Sequence, residues 1–244
     1  MYIIDFNPQI INNIDIMYLS IIEQKINSKE SITNEEVTTL LDTINYIVRY
    51  KINPNLDNYD YKCDLAQSIL YHYLKKLNCN PHTCMTQNVI TNNIIGHSFI
   101  TIQIIVDNKI KTYLIDPTYI QFFKKDKCTK DNYFISQQYN NYILLTPDPG
   151  YFINKSMNNE INFLLNHGYI ELTEQTARIY GDSFLNTKTG ININLLNYQT
   201  IPGEIYINSF LKGNEPISKT EEELINMNLY IPSFQELNNQ HKKR

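Results

Sequence analysis

His97-Ser98-Phe99-Ile100-Thr101-Ile102-Gln103-Ile104-Ile105-Val106, the polar step Asp107-Asn108-Lys109, and Ile110-Lys111-Thr112-Tyr113-Leu114-Ile115-Asp116 form the stretch that decides the fold. Both runs are rich in β-branched and aromatic residues, and the step between them is short and polar, so the stretch reads as a β-hairpin. If Asp107-Asn108 is a two-residue turn, His97 faces Thr118, and Asp116 is its diagonal neighbour on the same face. If Asn108-Lys109 is the turn, the faces still match. A three-residue loop would put the two side chains on opposite faces. Diagonal cross-strand positions lie roughly 7–8 Å apart, within reach of an imidazole and a carboxylate.

Helices are expected on both sides of the hairpin. Before it, 31–51 carries Val37, Leu40, Leu41, Ile44, Ile47 and Val48 at helical spacing, with Thr33 as N-cap and Glu35 and Glu36 in the first turn. A polar loop, 53–58, follows. A second helix runs from Cys63 to Leu77 with the stripe Ala66, Ile69, Leu70, Tyr73, Leu74 and Leu77. Cys63 lies three residues before Ala66, at the helix start and on its buried side. After the hairpin, Tyr142 to Leu145 reads as a strand, and Asn158 to Asn166 and Thr173 to Leu185 read as helices. Thr173 is the N-cap of the latter, with a Leu172/Ala177 staple, and Thr220 opens a further helix. The whole is an α+β fold in one domain, 1–244. It has a core at about 52–147, an N-terminal helical segment at 1–51 and a C-terminal helical extension at 151–244.

Composition excludes several classes of function. Hydrophobic residues make up 42% and charged residues 19% of the 244, a globular balance. The net charge of −4 is unsuited to a protein that neutralises phosphates, so no nucleic-acid partner is expected. No stretch is apolar enough for a membrane span, and no secretory signal is visible. A cytoplasmic setting is therefore expected, with export by a specialised route still open. The cysteines, Cys63, Cys79, Cys84 and Cys128, are read as reduced thiols. The run Cys79-Asn80-Pro81-His82-Thr83-Cys84 lacks a second ligand pair for zinc and is read as a turn; no metal or cofactor is expected.

Chemistry is suggested by three residues taken together. The thiolate is the reactive form of a cysteine, and both a helix N-terminus and a neighbouring imidazole favour it. Cys63 has the first by position, although Asp64 opposes it and Lys62 offsets that in part. Among five histidines, His97 alone opens a long apolar strand. Asp116 can orient the imidazole, as the third member of a nucleophile–base–orienter set does. For each residue alone a bland role serves: a small buried hydrophobe, a strand-edge histidine, a carboxylate ending a strand. Their joint order is what points to catalysis.

Cys63-Asp64-Leu65-Ala66, Gly96-His97-Ser98-Phe99 and Leu114-Ile115-Asp116-Pro117-Thr118 resemble the Cys, His and Asp segments of transglutaminase-like and papain-like cysteine enzymes. The extension Tyr119-Ile120-Gln121-Phe122 resembles papain-fold bacterial toxin and effector modules that deamidate glutamine. The resemblance spans about 59–122. It implies a nucleophile helix packed on an antiparallel sheet and a Cys63-His97-Asp116 triad acting on a protein or peptide carboxamide, with Tyr119 and Gln121 near the substrate cleft. Peptide-bond cleavage and an inactive binding module of the same fold are the alternatives. The aromatic residue or glycine that usually flanks the nucleophile is replaced by Lys62 and Asp64. The backbone N–H of Cys63 can serve as one oxyanion donor, with Asn55 or Asn58 as candidates for the second. Substrate identity and oligomeric state stay open.

Overall fold

The computed structural model describes residues 15–55, 62–90, 93–119, 136–139, 142–145, 160, 163–185 and 202–241. Two helices, α1 (Ile16–Asn27) and α2 (Asn34–Ile52), precede α3 (Cys63–Lys76). The sheet has the order β1 (His82–Ile90), β2 (Asn93–Val106), β3 (Lys109–Ile115) and β6 (Tyr169–Glu171), every neighbour antiparallel. Strands β4 (Ser136–Tyr139) and β5 (Tyr142–Leu145) form a separate antiparallel pair. Helices α4 (Glu174–Leu185), α5 (Gly203–Phe210), α6 (Glu221–Asn226) and α7 (Phe234–His241) complete the described elements. The expected α+β class is what the chain adopts. Among the described residues, no helix is long and apolar enough to cross a membrane.

The hairpin turn is the two-residue Asp107-Asn108. Both residues have positive φ, 48° and 61°, the conformation that suits a tight turn to the twist of its strands. Val106 pairs with Lys109 and Ile100 with Ile115, the first of the two registers considered. The turn is anchored from outside the sheet. The N–H of Asp107 donates to the Ile32 carbonyl at 2.9 Å, and that of Asn108 donates to Ser31 Oγ at 2.8 Å.

Apolar clusters cover both faces of the sheet. On one, Ile100, Ile102, Ile104 and Val106 of β2 meet α1, α2, α3 and the last two helices. On the other, Phe99, Leu114 and Ile170 meet Tyr119, Tyr180 and Phe210. This double cover explains why the β2 sequence is an almost continuous apolar run. The Thr33 and Thr220 caps are both complete capping boxes, and Thr173 Oγ1 accepts from the Thr176 N–H at 3.2 Å. Within the expected 158–166 helix, residues 160 and 163–166 are described and helical, and the helix extends to 167.

Three strands escaped the sequence reading. β1 begins within the 79–84 run read as a turn and continues to Ile90, β4 pairs with the expected strand at 142–145, and β6 lies within the C-terminal part expected to be helical; β2 begins at Asn93, so His97 lies inside its strand and does not open it. The sheet therefore draws on residues beyond 52–147. Cys79 packs into the cluster under α1 to α3, and Cys84 into the opposite one. The two thiols sit on different faces of the sheet, which prevents them from sharing a metal ion.

Gly168 ties the strand ends to the site. Its φ is +75°, a conformation that L side chains rarely adopt, and its carbonyl accepts the Asp116 N–H at 2.7 Å. A Cβ there would lie 3.0 Å from both Asn45 Oδ1 and Pro117 Cα. Gly168→Ala is expected to lower stability by ~1–3 kcal/mol through strain alone. A thermal melt beside that of a surface alanine variant checks it.

Candidate active site

Asp116 ends β3 and is fully buried, with 0% of its surface exposed. Burial of a carboxylate is costly unless its oxygens are occupied, and both oxygens of Asp116 are. Oδ1 accepts from the Thr118 N–H at 3.2 Å and from Thr118 Oγ1 at 3.0 Å. Oδ2 accepts from the Tyr180 hydroxyl at 2.8 Å and from His97 Nε2 at 2.6 Å. The Pro117-Thr118 turn is held in turn by Arg49 of α2. Its Nε donates to the Pro117 carbonyl at 2.8 Å, and its two terminal nitrogens donate to the carbonyls of Asn166 and Leu165.

His97 is 1% exposed. A carboxylate only accepts hydrogen bonds, so Nε2 carries the proton that faces Asp116, and Nδ1 is left for a second partner. The Cys63 side chain hydrogen-bonds the His97 ring. Burial pushes the imidazole pKa down. The Asp116 charge and the hydrogen bonds with Asp116 and Cys63 outweigh that and raise it to about 10. His97 is thereby stabilised as an imidazolium.

Cys63 is the first residue of α3 and is 9% exposed. The N-cap, Lys62, makes no side-chain capping bond, so its own side chain does not occupy the first-turn amides. One turn on, Gln67 Nε2 donates to the carbonyls of Cys84 and Phe99, both at 2.8 Å. This buried amide locks the helix start against the β1–β2 pair and so sets the sulfur beside His97. Burial pushes Cys79 and Cys84 each up to about 12, and their sulfurs donate to the carbonyls of Leu77 and Phe210.

The three residues singled out in the sequence thus come together in the order Cys63, His97, Asp116. The remaining candidates fall elsewhere. Asn55 is exposed in the turn after α2, where its N–H donates to Asn53 Oδ1. Asn58 and Gln121 lie outside the described residues. Tyr119 is buried beneath the Asp116 turn, its ring 5.4 Å from that of Tyr180. A second His–Asp pair, His167 Nδ1 with Asp42 Oδ1 at 2.7 Å, is half exposed, and among the described residues no thiol bonds to it.

Two contributors were missed. Thr118 belonged to the quoted Asp-Pro-Thr motif, but its role, closing Oδ1 from two sides, needed the turn geometry. Tyr180 carried no signal at all in a chain with 19 tyrosines. Burial, then the Asp116 charge and hydrogen bond, push its hydroxyl well above the ordinary phenol range, so it stays a donor. Tyr180→Phe is expected to cost about 1–1.5 kcal/mol, a fall in Tm of a few degrees in a chain of this size. A differential thermal melt reads it directly.

In comparisons with known proteins, no family model, no curated protein and no solved structure matches this chain.

Proposed function

We propose that this chain is a thiol-dependent acyl-transfer enzyme with a papain- or transglutaminase-like core, acting on a protein or peptide carboxamide. The observation that carries the reading is the buried His97–Asp116 pair, 2.6 Å apart, with Cys63 at a helix start hydrogen-bonded to the same imidazole. A histidine and a carboxylate held this tightly away from water are expensive to bury. The placement of a thiol on the histidine's other side gives that expense a chemical purpose.

In this reading the Cys63 thiolate attacks the carbonyl carbon, and the His97 imidazolium gives its proton to the departing amine. A thioester on Cys63 results. Water, or an amine, then attacks the thioester, His97 takes the proton, and the thiolate leaves. The Cys63 N–H is one donor to the oxyanion, and the absence of a side-chain cap on α3 is consistent with that use. Asp116 keeps the ring oriented throughout. The preference for a side-chain amide of glutamine rests on the sequence resemblance. The centre itself suits any reactive amide.

The test is incubation of the full chain with glutamine-containing peptides and proteins. Ammonia release with modified side chains and intact backbones is the expected result. New chain termini without ammonia would establish peptide-bond cleavage instead, and neither product would favour a binding module.

A further inference from the structure

Asp64 follows the nucleophile in the sequence, and one of its oxygens is committed. Ser98 Oγ donates a short hydrogen bond to Oδ1, across from α3 to the strand residue next to His97. The same oxygen is 3.9 Å from Cys63 Sγ. An aspartate in the first turn of a helix is ordinarily explained by the helix dipole. Here the side chain is instead pinned to the sheet, at the residue that adjoins the base. Among the described residues, the opposite oxygen has no hydrogen-bond partner, and the residue as a whole is exposed. Among the described residues, no lysine or arginine forms an ion pair with it.

The electrostatic consequence is local. His97 and Asp116 are both buried, so an incoming molecule does not meet their charges directly. Asp64 therefore sets a fixed negative charge 3.9 Å from the sulfur, while Lys62 flanks Cys63 on the other side in the sequence. Without the Ser98 bond, an exposed carboxylate would swing through several rotamers, and its effect would be diluted. With it, the charge is fixed within one side chain's width of the reacting atom, where it favours cations and repels anions.

Building on the acyl-transfer reading, we infer that Asp64, held by Ser98, makes the site select substrates that carry a positive charge, an ammonium or guanidinium group, beside the reacting carbonyl. It is a specificity residue: it attracts the substrate's cation and takes no part in bond making.

The test needs no turnover. The full-length protein is treated with two thiol reagents that share one reactive group, cationic 2-aminoethyl methanethiosulfonate and anionic 2-sulfonatoethyl methanethiosulfonate. Modification of Cys63 is timed by peptide mapping. The cationic-to-anionic rate ratio is normalised to that of 2-mercaptoethanol. The wild-type ratio is expected to exceed the reference, and Asp64→Asn to lower it by about fivefold, the factor that ~1 kcal/mol of partly exposed ion pairing supplies. Asp64→Glu should restore part of the preference, and added salt should narrow it. A wild-type ratio equal to the reference, or one unchanged in Asp64→Asn, overturns the inference. A Cys63 inert to both reagents overturns it together with the acyl-transfer reading. A charge preference that survives while ammonia-release and peptidase assays are silent upholds the role of Asp64 and sinks only that reading.

Discussion

Cys63→Ala and His97→Ala are each expected to reduce carboxamide turnover by about 10³-fold or more, down to the level that binding and an oxyanion site supply without a nucleophile. The two effects should not multiply in the double variant. The thiol and the imidazole hydrogen-bond one another and act as a unit, so either loss removes the same step. Stability should separate the variants. Cys63 is a small side chain at a helix start, and alanine is a good residue there, so Cys63→Ala should fold with little cost. His97→Ala strips a partner from a carboxylate that has no access to water and should melt earlier. The measurement is ammonia release per enzyme, with intact-mass detection of the acyl-enzyme in the wild type. Wild-type rates from either variant would falsify the proposed chemistry.

Asp116→Ala is the variant with the largest expected effect on the fold. It leaves the His97 ring, the Tyr180 hydroxyl and the Thr118 donors without their shared acceptor in a buried place. Breaking a buried, hydrogen-bonded charge pair by removing one side costs ~3–5 kcal/mol. For a chain of this length that is a fall in Tm of about 10 °C. Asp116→Asn keeps the shape and an acceptor oxygen and should lose less. The pH dependence carries a definite sign. The His97 pKa is raised from 6.5 to about 10 in the folded protein, so its contribution is fully present below 6.5 and is lost as pH rises through 10. The stability gap between wild type and Asp116→Ala should therefore shrink across that window. Denaturant titrations at several pH values measure it, and a gap that widened with pH would refute the assigned pairing.

Much of the site was legible because local rules place its parts. The β-branched runs around Asp107-Asn108 specify a hairpin, and strand alternation alone puts His97 and Asp116 on one face whenever the turn has two residues. The stripe from Ala66 to Leu77 places Cys63 at the first turn of α3 on the inner side. Thr33, Thr173 and Thr220 announce their helices because a cap is decided within four residues. β1 and β6 were harder to see. β1 has a polar, Cys- and Thr-rich start, and β6 is three residues long. Over its nine residues β1 shows no regular apolar–polar alternation, and β6 is too short to show any.

By itself the sequence determined the α+β class and the hairpin, and it singled out Cys63, His97 and Asp116 for the proposed roles of nucleophile, base and orienting carboxylate. Each of these follows from neighbours within a turn of helix or a pair of strands. Only the tertiary structure decided what makes that trio a site. It put Tyr180 on Asp116 from 64 residues away and Arg49 on the Pro117 carbonyl from 68. It also brought the start of α3 to the imidazole through Gln67. Those contacts depend on how helices on two faces pack against one sheet, and no local pattern encodes them. The same holds for the hydrogen bond that fixes Asp64 to Ser98, which turned an unfavourable-looking neighbour of the nucleophile into a candidate for substrate selection.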